Sequence, residues 1–131
     1  MEEPVWVSEE DCLSFHDKLL ARFGGASGVR DRGLLASALA RPQQLFAYEK
    51  PTMCDMAAAY AHGIVKNHPF VDGNKRSGLL AATLFLEANG IRFSATEEDA
   101  VVQTLALAAG AITAEDFAAW LKWVSRPGEP E

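Results

Sequence analysis

His68-Pro69-Phe70-Val71-Asp72-Gly73-Asn74-Lys75-Arg76-Ser77-Gly78 runs straight into the apolar stretch Leu79-Leu80-Ala81-Ala82-Thr83-Leu84-Phe85-Leu86, and this junction decides how the chain is read. Pro69 biases His68 away from the α region, so a helix arriving through Asn67 ends there and leaves the imidazole facing outward. A new helix opens at Gly73 or Asn74. It is apolar on most sides, which places it at the centre of a helical domain, with the loop joining two central helices. Lys75 and Arg76 fall in its first turn, where natural helices favour acids because the free N–H groups and the dipole are positive. Two cations at that end make sense if an anion arrives to neutralise them, and phosphate is the anion such helix ends take.

Working outward, the helix before the loop spans about Cys54 to Asn67 and offers Met56, Ala57, Tyr60 and Ile64 to a core. Ser8, with Glu9, Glu10 and Asp11 after it, caps a first helix whose apolar face is Leu13, Leu19, Leu20 and Phe23, stopped by Gly24-Gly25. Asp31 caps a short second helix carrying Leu34, Leu35, Ala38 and Leu39, which Pro42 terminates. Gln43 to Thr52 has no helical period. Downstream, the central helix ends near Asn89 with Gly90 as its C′ residue. Ile91-Arg92-Phe93 is expected to run extended beside Val5-Trp6-Val7. Thr96 then caps a fifth helix through Leu107, and Thr113 a sixth through Trp123. The fold class is all-α: one compact bundle of about six helices over residues 1–125, with a frayed tail at 126–131.

Composition sets limits. With 131 residues, 49% of them apolar, the chain can bury one core. A net charge of −6 argues against broad nucleic-acid binding, and makes Lys66, His68, Lys75 and Arg76 a local inversion of sign that steers anions. Cys12 and Cys54 lack metal-ligand spacing and read as reduced, packed thiols. No apolar stretch approaches the roughly 20 residues of a membrane span, and no leader pattern opens the chain, so a cytoplasmic protein without membrane attachment is expected. Gly73 to Gly78 has the glycine spacing of a phosphate-binding P-loop, but Leu79-Leu80 stand where Lys-Ser/Thr is required. His16 and His62 sit inside helical patterns and read as packed or exposed. Trp120 and Trp123, three apart on one helix, read as core.

The loop's own residues make a set for phosphoryl or nucleotidyl transfer. His68 is the candidate base, because an imidazole accepts a proton near neutral pH. Asp72 supplies carboxylate oxygen for a hard cation. Lys75, Arg76 and the backbone N–H groups of Gly73 and Asn74 would hold phosphoryl oxygens, with Asn74 also able to anchor the loop. Phe70 should plug inward.

These residues resemble the signature of the Fic/Doc family, H-x-F-x-(D/E)-G-N-(G/K)-R, from His68 through Phe70, Asp72, Gly73, Asn74 and Lys75 to Arg76. The likeness extends to Phe23-Gly24-Gly25, to Gly28-Val29-Arg30-Asp31, to Arg41-Pro42-Gln43 and to Phe85-Leu86-Glu87-Ala88-Asn89-Gly90. Lys75 stands where the AMP-transferring branch has Gly, and Leu79 where it has a second Arg; both departures look like the Doc branch, the death-on-curing toxins. The resemblance implies ATP and Mg²⁺ as cofactors, with Asp72 holding the metal and Lys66 as a further phosphate contact. It implies transfer of the γ-phosphate to a Ser/Thr hydroxyl of a protein, with a translation elongation factor as target. Leu45, Phe46, Ala47 and Tyr48, within Gln44 to Lys50, occupy the position of the family's target-docking flap and would offer a strand edge. A cognate antitoxin is the implied partner, with DNA reached only through it, since the chain carries no Ser/Thr-x-x-x-Glu-Gly/Asn inhibitory motif of its own. The alternatives are AMP transfer to a protein hydroxyl, and a non-catalytic partner or co-repressor of an antitoxin.

Overall fold

A computed structural model describes residues 2–128. Its elements are α1 (Glu9–Phe23), α2 (Arg32–Tyr48), α3 (Met53–Asn67), α4 (Asn74–Ala88), β1 (Ile91–Phe93), α5 (Glu97–Ala109), α6 (Ala114–Trp123) and β2 (Ser125–Pro127). Local chemistry starts most of the helices. Ser8, Thr52 and Thr113 each form a reciprocal capping box with the acid three residues on, while Asp31 and Thr96 accept from Leu34 and Asp99. Such a cap contributes about 0.5–2 kcal/mol.

Helix α3 is the hub, packed against α2, α4, α5 and α6. Its alanines at 57, 58, 59 and 61 are all buried and let neighbours approach closely. Two glycines mark the tightest crossings. A Cβ on Gly63 would lie 2.9 Å from the Cβ of Ala38, and one on Gly78 would lie 2.8 Å from Val65 Cγ1 and 3.1 Å from the Ala61 carbonyl. The Ala61 carbonyl is backbone and cannot swing aside. Gly78→Leu is therefore expected to push α4 off α3 and lower stability by about 1–3 kcal/mol, read as a lower urea midpoint at unchanged slope.

Several expectations need correction. Pro42 does not end α2; it lies inside the helix, buried, and α2 continues to Tyr48. Pro42 forfeits one backbone hydrogen bond. Packing offsets that loss, because the extra turn seats Phe46 edge-on against Trp6 at 5.7 Å. The buried face of α1 is Cys12, Phe15 and His16, with Leu13 and Leu19 at its margin and Phe23 exposed. Trp120 is core, its indole N–H donating to Asp99 Oδ2 at 2.7 Å, whereas Trp123 is 81% exposed. Trp123 comes two residues after Leu121, about 200° around the helix from that buried side chain.

Strand β1 pairs antiparallel with β2, Arg92 opposite Arg126, and not with residues 5–7. The N-terminal segment is tied down by side chains instead. Asn89 exchanges two hydrogen bonds with the backbone of Val5, at 2.8 and 2.9 Å, and the Tyr60 hydroxyl accepts from Val7 N at 3.0 Å. Residues 126–128 are therefore ordered by β2 and by the Gly128 N–H on the Gly90 carbonyl, and the remainder of the proposed tail lies outside the described residues. Cys12 and Cys54 are buried free thiols; burial, with Glu9 and Asp11 nearby, pushes Cys12 up to about 12. No helix among the described residues is long and apolar enough to cross a membrane.

Candidate active site

Helix α3 ends at Asn67, as Pro69 requires, but His68 takes a left-handed conformation (φ 49, ψ 56) rather than an extended one. It is the one non-glycine residue with positive φ among the described residues. A proline excludes the right-handed α region for the residue before it, and the left-handed turn is the other way to close a helix. The conformation costs about 1–2 kcal/mol for an L residue, so something must hold it. Arg30 does so. Its Nε donates to the His68 carbonyl at 2.6 Å and its Nη2 to the Asn67 carbonyl at 2.7 Å, placing a cation on the negative end of α3. The backbone N–H groups of Arg30 and Asp31 both reach the Pro69 carbonyl, and Val71 N reaches the Gly28 carbonyl, so residues 28–31 strap the loop.

Inside the loop, Phe70 is 1% exposed and Asn74 is consumed in holding it. The Asn74 amide accepts from Phe70 N and donates to Phe70 O, each at 3.0 Å, and comes within 3.5 Å of His68 Nδ1. Of the two roles expected for Asn74, this is the loop anchor. His16 from α1 lies flat on the Phe70 ring, centroids 3.7 Å apart, and its Nε2 is 2.8 Å from the Asp72 carbonyl. Asp72 directs its carboxylate to two backbone donors, Gly73 N at 2.8 Å and Ala26 N at 3.3 Å. Gly25 is obligatory beside it, since a Cβ there would meet Asp72 Oδ2 at 2.8 Å with φ at +122°.

Helix α4 opens on Gly73 with no capping side chain, unlike the other five helices among the described residues. Lys75 and Arg76 are exposed in its first turn, and the Arg76 guanidinium rests 4.4 Å from the centroid of the exposed Phe23 ring. A cleft of about 440 Å³ gathers these groups. Its lining joins the loop and the first turn of α4, from His68, Val71 and Asp72 to Arg76, with Leu79 on α4 and Val101, Thr104 and Leu105 on α5. That volume suits a nucleotide-sized ligand.

Lys66 is not brought into this cleft. Its Nζ donates to the Ala108 carbonyl at 3.2 Å and borders a second, larger cleft of about 700 Å³ between α2, α3 and α6. His62 lies there too, and burial lowers its pKa, helped by Lys66 and Arg41. Leu45 lines the same cleft, whereas Phe46 packs on Trp6 and Ala47 and Tyr48 face solvent. These four residues form the last turn of α2, so they present no strand edge: their N–H groups are committed to the helix and the Leu45 carbonyl accepts from Glu49 N.

The polar cleft follows the order of the loop signature. A family model described as the Fic/DOC family matches residues 6–86. The chain belongs to the Fic/DOC family. It is 33% identical over 117 residues to "Protein kinase doc" of Escherichia phage P1, covering 88% of this chain and 92% of that protein. It is 47% identical over 77 residues to "Toxin Doc" of Mycolicibacterium smegmatis, covering 56% of this chain and 58% of that protein. Within the Fic/DOC family the chain is thus Doc-like. Among the described residues no three His, Cys, Asp or Glu side chains group to hold an ion by themselves. A single exposed carboxylate, Asp72, fits Mg²⁺, which takes one or two carboxylates and completes its shell with phosphate oxygens and water.

Two supports of this Fic/DOC site escaped the sequence reading. Arg30 reaches carbonyls 38 and 37 residues away, and His16 reaches one 56 residues away. Arg30 lay within a stretch of the family likeness without a role attached. For His16 no local pattern pointed to the loop.

Proposed function

We propose that this Doc-like toxin transfers the γ-phosphate of ATP to a Ser or Thr hydroxyl of a protein, arresting growth. A translation elongation factor is the proposed target and a separate antitoxin protein the proposed inhibitor, with DNA contacted only through that antitoxin. The observation that carries this reading is the uncapped start of α4, which lines one cleft together with His68 and Asp72. His68 would accept the proton of the attacking hydroxyl. Lys75, Arg76 and the Asn74 N–H would hold the phosphoryl oxygens, the Gly73 N–H being taken up by Asp72 Oδ1. Mg²⁺ bound at Asp72 would supply charge neutralisation of the phosphates when present.

The polarity of the cleft supports γ- over α-transfer. Leu79, Val101 and Leu105 line it with apolar side chains, which suit a nucleobase and offer no charge to a terminal phosphate. A base seated against them, with the phosphates toward Lys75 and Arg76, would put the γ-phosphate beside His68. AMP transfer requires the opposite orientation, with a cation where Leu79 stands. ATP labelled separately at the α and γ positions decides between them. A lysate with the protein added should give a labelled protein band from γ-labelled ATP only. A band from α-labelled ATP would make the protein an AMP transferase, and no band from either would favour a non-catalytic partner of an antitoxin.

A further inference from the structure

His16 is 2% exposed, yet its ring nitrogen goes to a loop carbonyl rather than to anything in its own helix. A carbonyl oxygen only accepts, so Nε2 carries the hydrogen and donates it. The oxygen it holds, that of Asp72, belongs to the same planar unit as the Gly73 N–H. In a trans peptide the two bonds point opposite ways. With the oxygen fixed toward α1, the Gly73 N–H is turned the other way, where it meets Asp72 Oδ1 at 2.8 Å, both residues lining the cleft.

We infer that His16 is a positioning residue that prevents the Asp72–Gly73 peptide from flipping, and so keeps the Gly73 N–H on the Asp72 carboxylate and a carbonyl oxygen away from the phosphate site at the start of α4. A flip of that peptide changes mainly ψ of Asp72 and φ of Gly73. Gly73 sits at φ +76, and a glycine takes either sign of φ readily, so the backbone alone does not resist. A flipped carbonyl would oppose phosphate with a partial negative charge and deprive the Asp72 carboxylate of its closest donor. The parallel stack of His16 on Phe70, 9° between planes, keeps the imidazole edge aimed at the carbonyl, and Phe70 is in turn fixed by Asn74. The inference rests on the reading of α4 as a phosphate site, and its test separates the two.

His16→Phe keeps a ring to stack on Phe70 but cannot donate, whereas His16→Gln keeps a donor. The two HN–Hα couplings of Gly73, measured by NMR, report its φ independently of any ligand. In H16F they should leave the values for φ near +76, and the affinity for Mg²⁺ with the non-hydrolysable imido analogue of ATP should fall by roughly tenfold, the worth of one hydrogen bond. H16Q should restore both. Wild-type couplings in H16F overturn the inference, and so does a loss of affinity that H16Q fails to rescue. If the unaltered protein binds no analogue, the phosphotransfer reading fails, and the couplings still decide the role of His16. Should H16F not fold, His16→Met makes the same comparison, filling the space without a donor.

Discussion

Replacing His68 by alanine is expected to lower the rate of phosphoryl transfer by about 10²–10⁴-fold, the usual contribution of a positioned base. The side chain is exposed, so little packing is lost with it. Its backbone is the complication, because alanine tolerates the left-handed φ of 49° no better than histidine does. His68→Asn removes the base while supplying a residue that takes this conformation more readily. Both variants should lose transfer measured with γ-labelled ATP, and the Asn variant should melt within a few degrees of the parent. Transfer at the parent rate in either would mean that another group takes the proton.

Phe70→Ala is expected to have the largest effect on stability, a loss of about 3–5 kcal/mol, seen as a melting temperature lower by more than about 10 °C. The ring is 1% exposed, and His16 stacks on it at 3.7 Å. Its removal leaves a cavity and frees the imidazole edge that holds the Asp72 carbonyl. Activity should therefore fall together with stability, even though Phe70 touches no substrate in the proposed reaction. A variant that melts at the parent temperature would show that the loop is not anchored through this ring.

What was legible in the sequence follows from the range of the interactions that decide it. Ser8, Asp31, Thr96 and Thr113 announce their helices because a cap bonds a group three residues away. The loop residues His68, Asp72, Gly73, Asn74, Lys75 and Arg76 are also neighbours in sequence, and the fold delivers them to one cleft. Phe70 plugs inward as expected. Errors came where distant contacts override local preference. Pro42 reads as a stop, but the packing of Phe46 on Trp6 carries α2 past it. Ile91 to Phe93 finds its partner in residues 125–127, because the Asn89 side chain already occupies the backbone of Val5. Lys66 is close to His68 in sequence, yet its amine turns to the end of α5.

The missing cap of α4 also bears on how long the protein survives. Glycine at the cap position forgoes only a few tenths of a kcal/mol relative to a capping side chain, but Lys75 and Arg76 add repulsion at the positive end of the helix they begin. A ligand that occupies this end of the native chain adds RT ln(1 + [L]/Kd), about 2.7 kcal/mol at a hundredfold excess over Kd. Degradation of a rapidly opening chain tracks the fraction that is open. Occupancy of α4 would thus couple ligand to resistance: the protein is expected to be cleaved more slowly by an added protease when Mg²⁺ and the imido analogue of ATP are present than when they are absent.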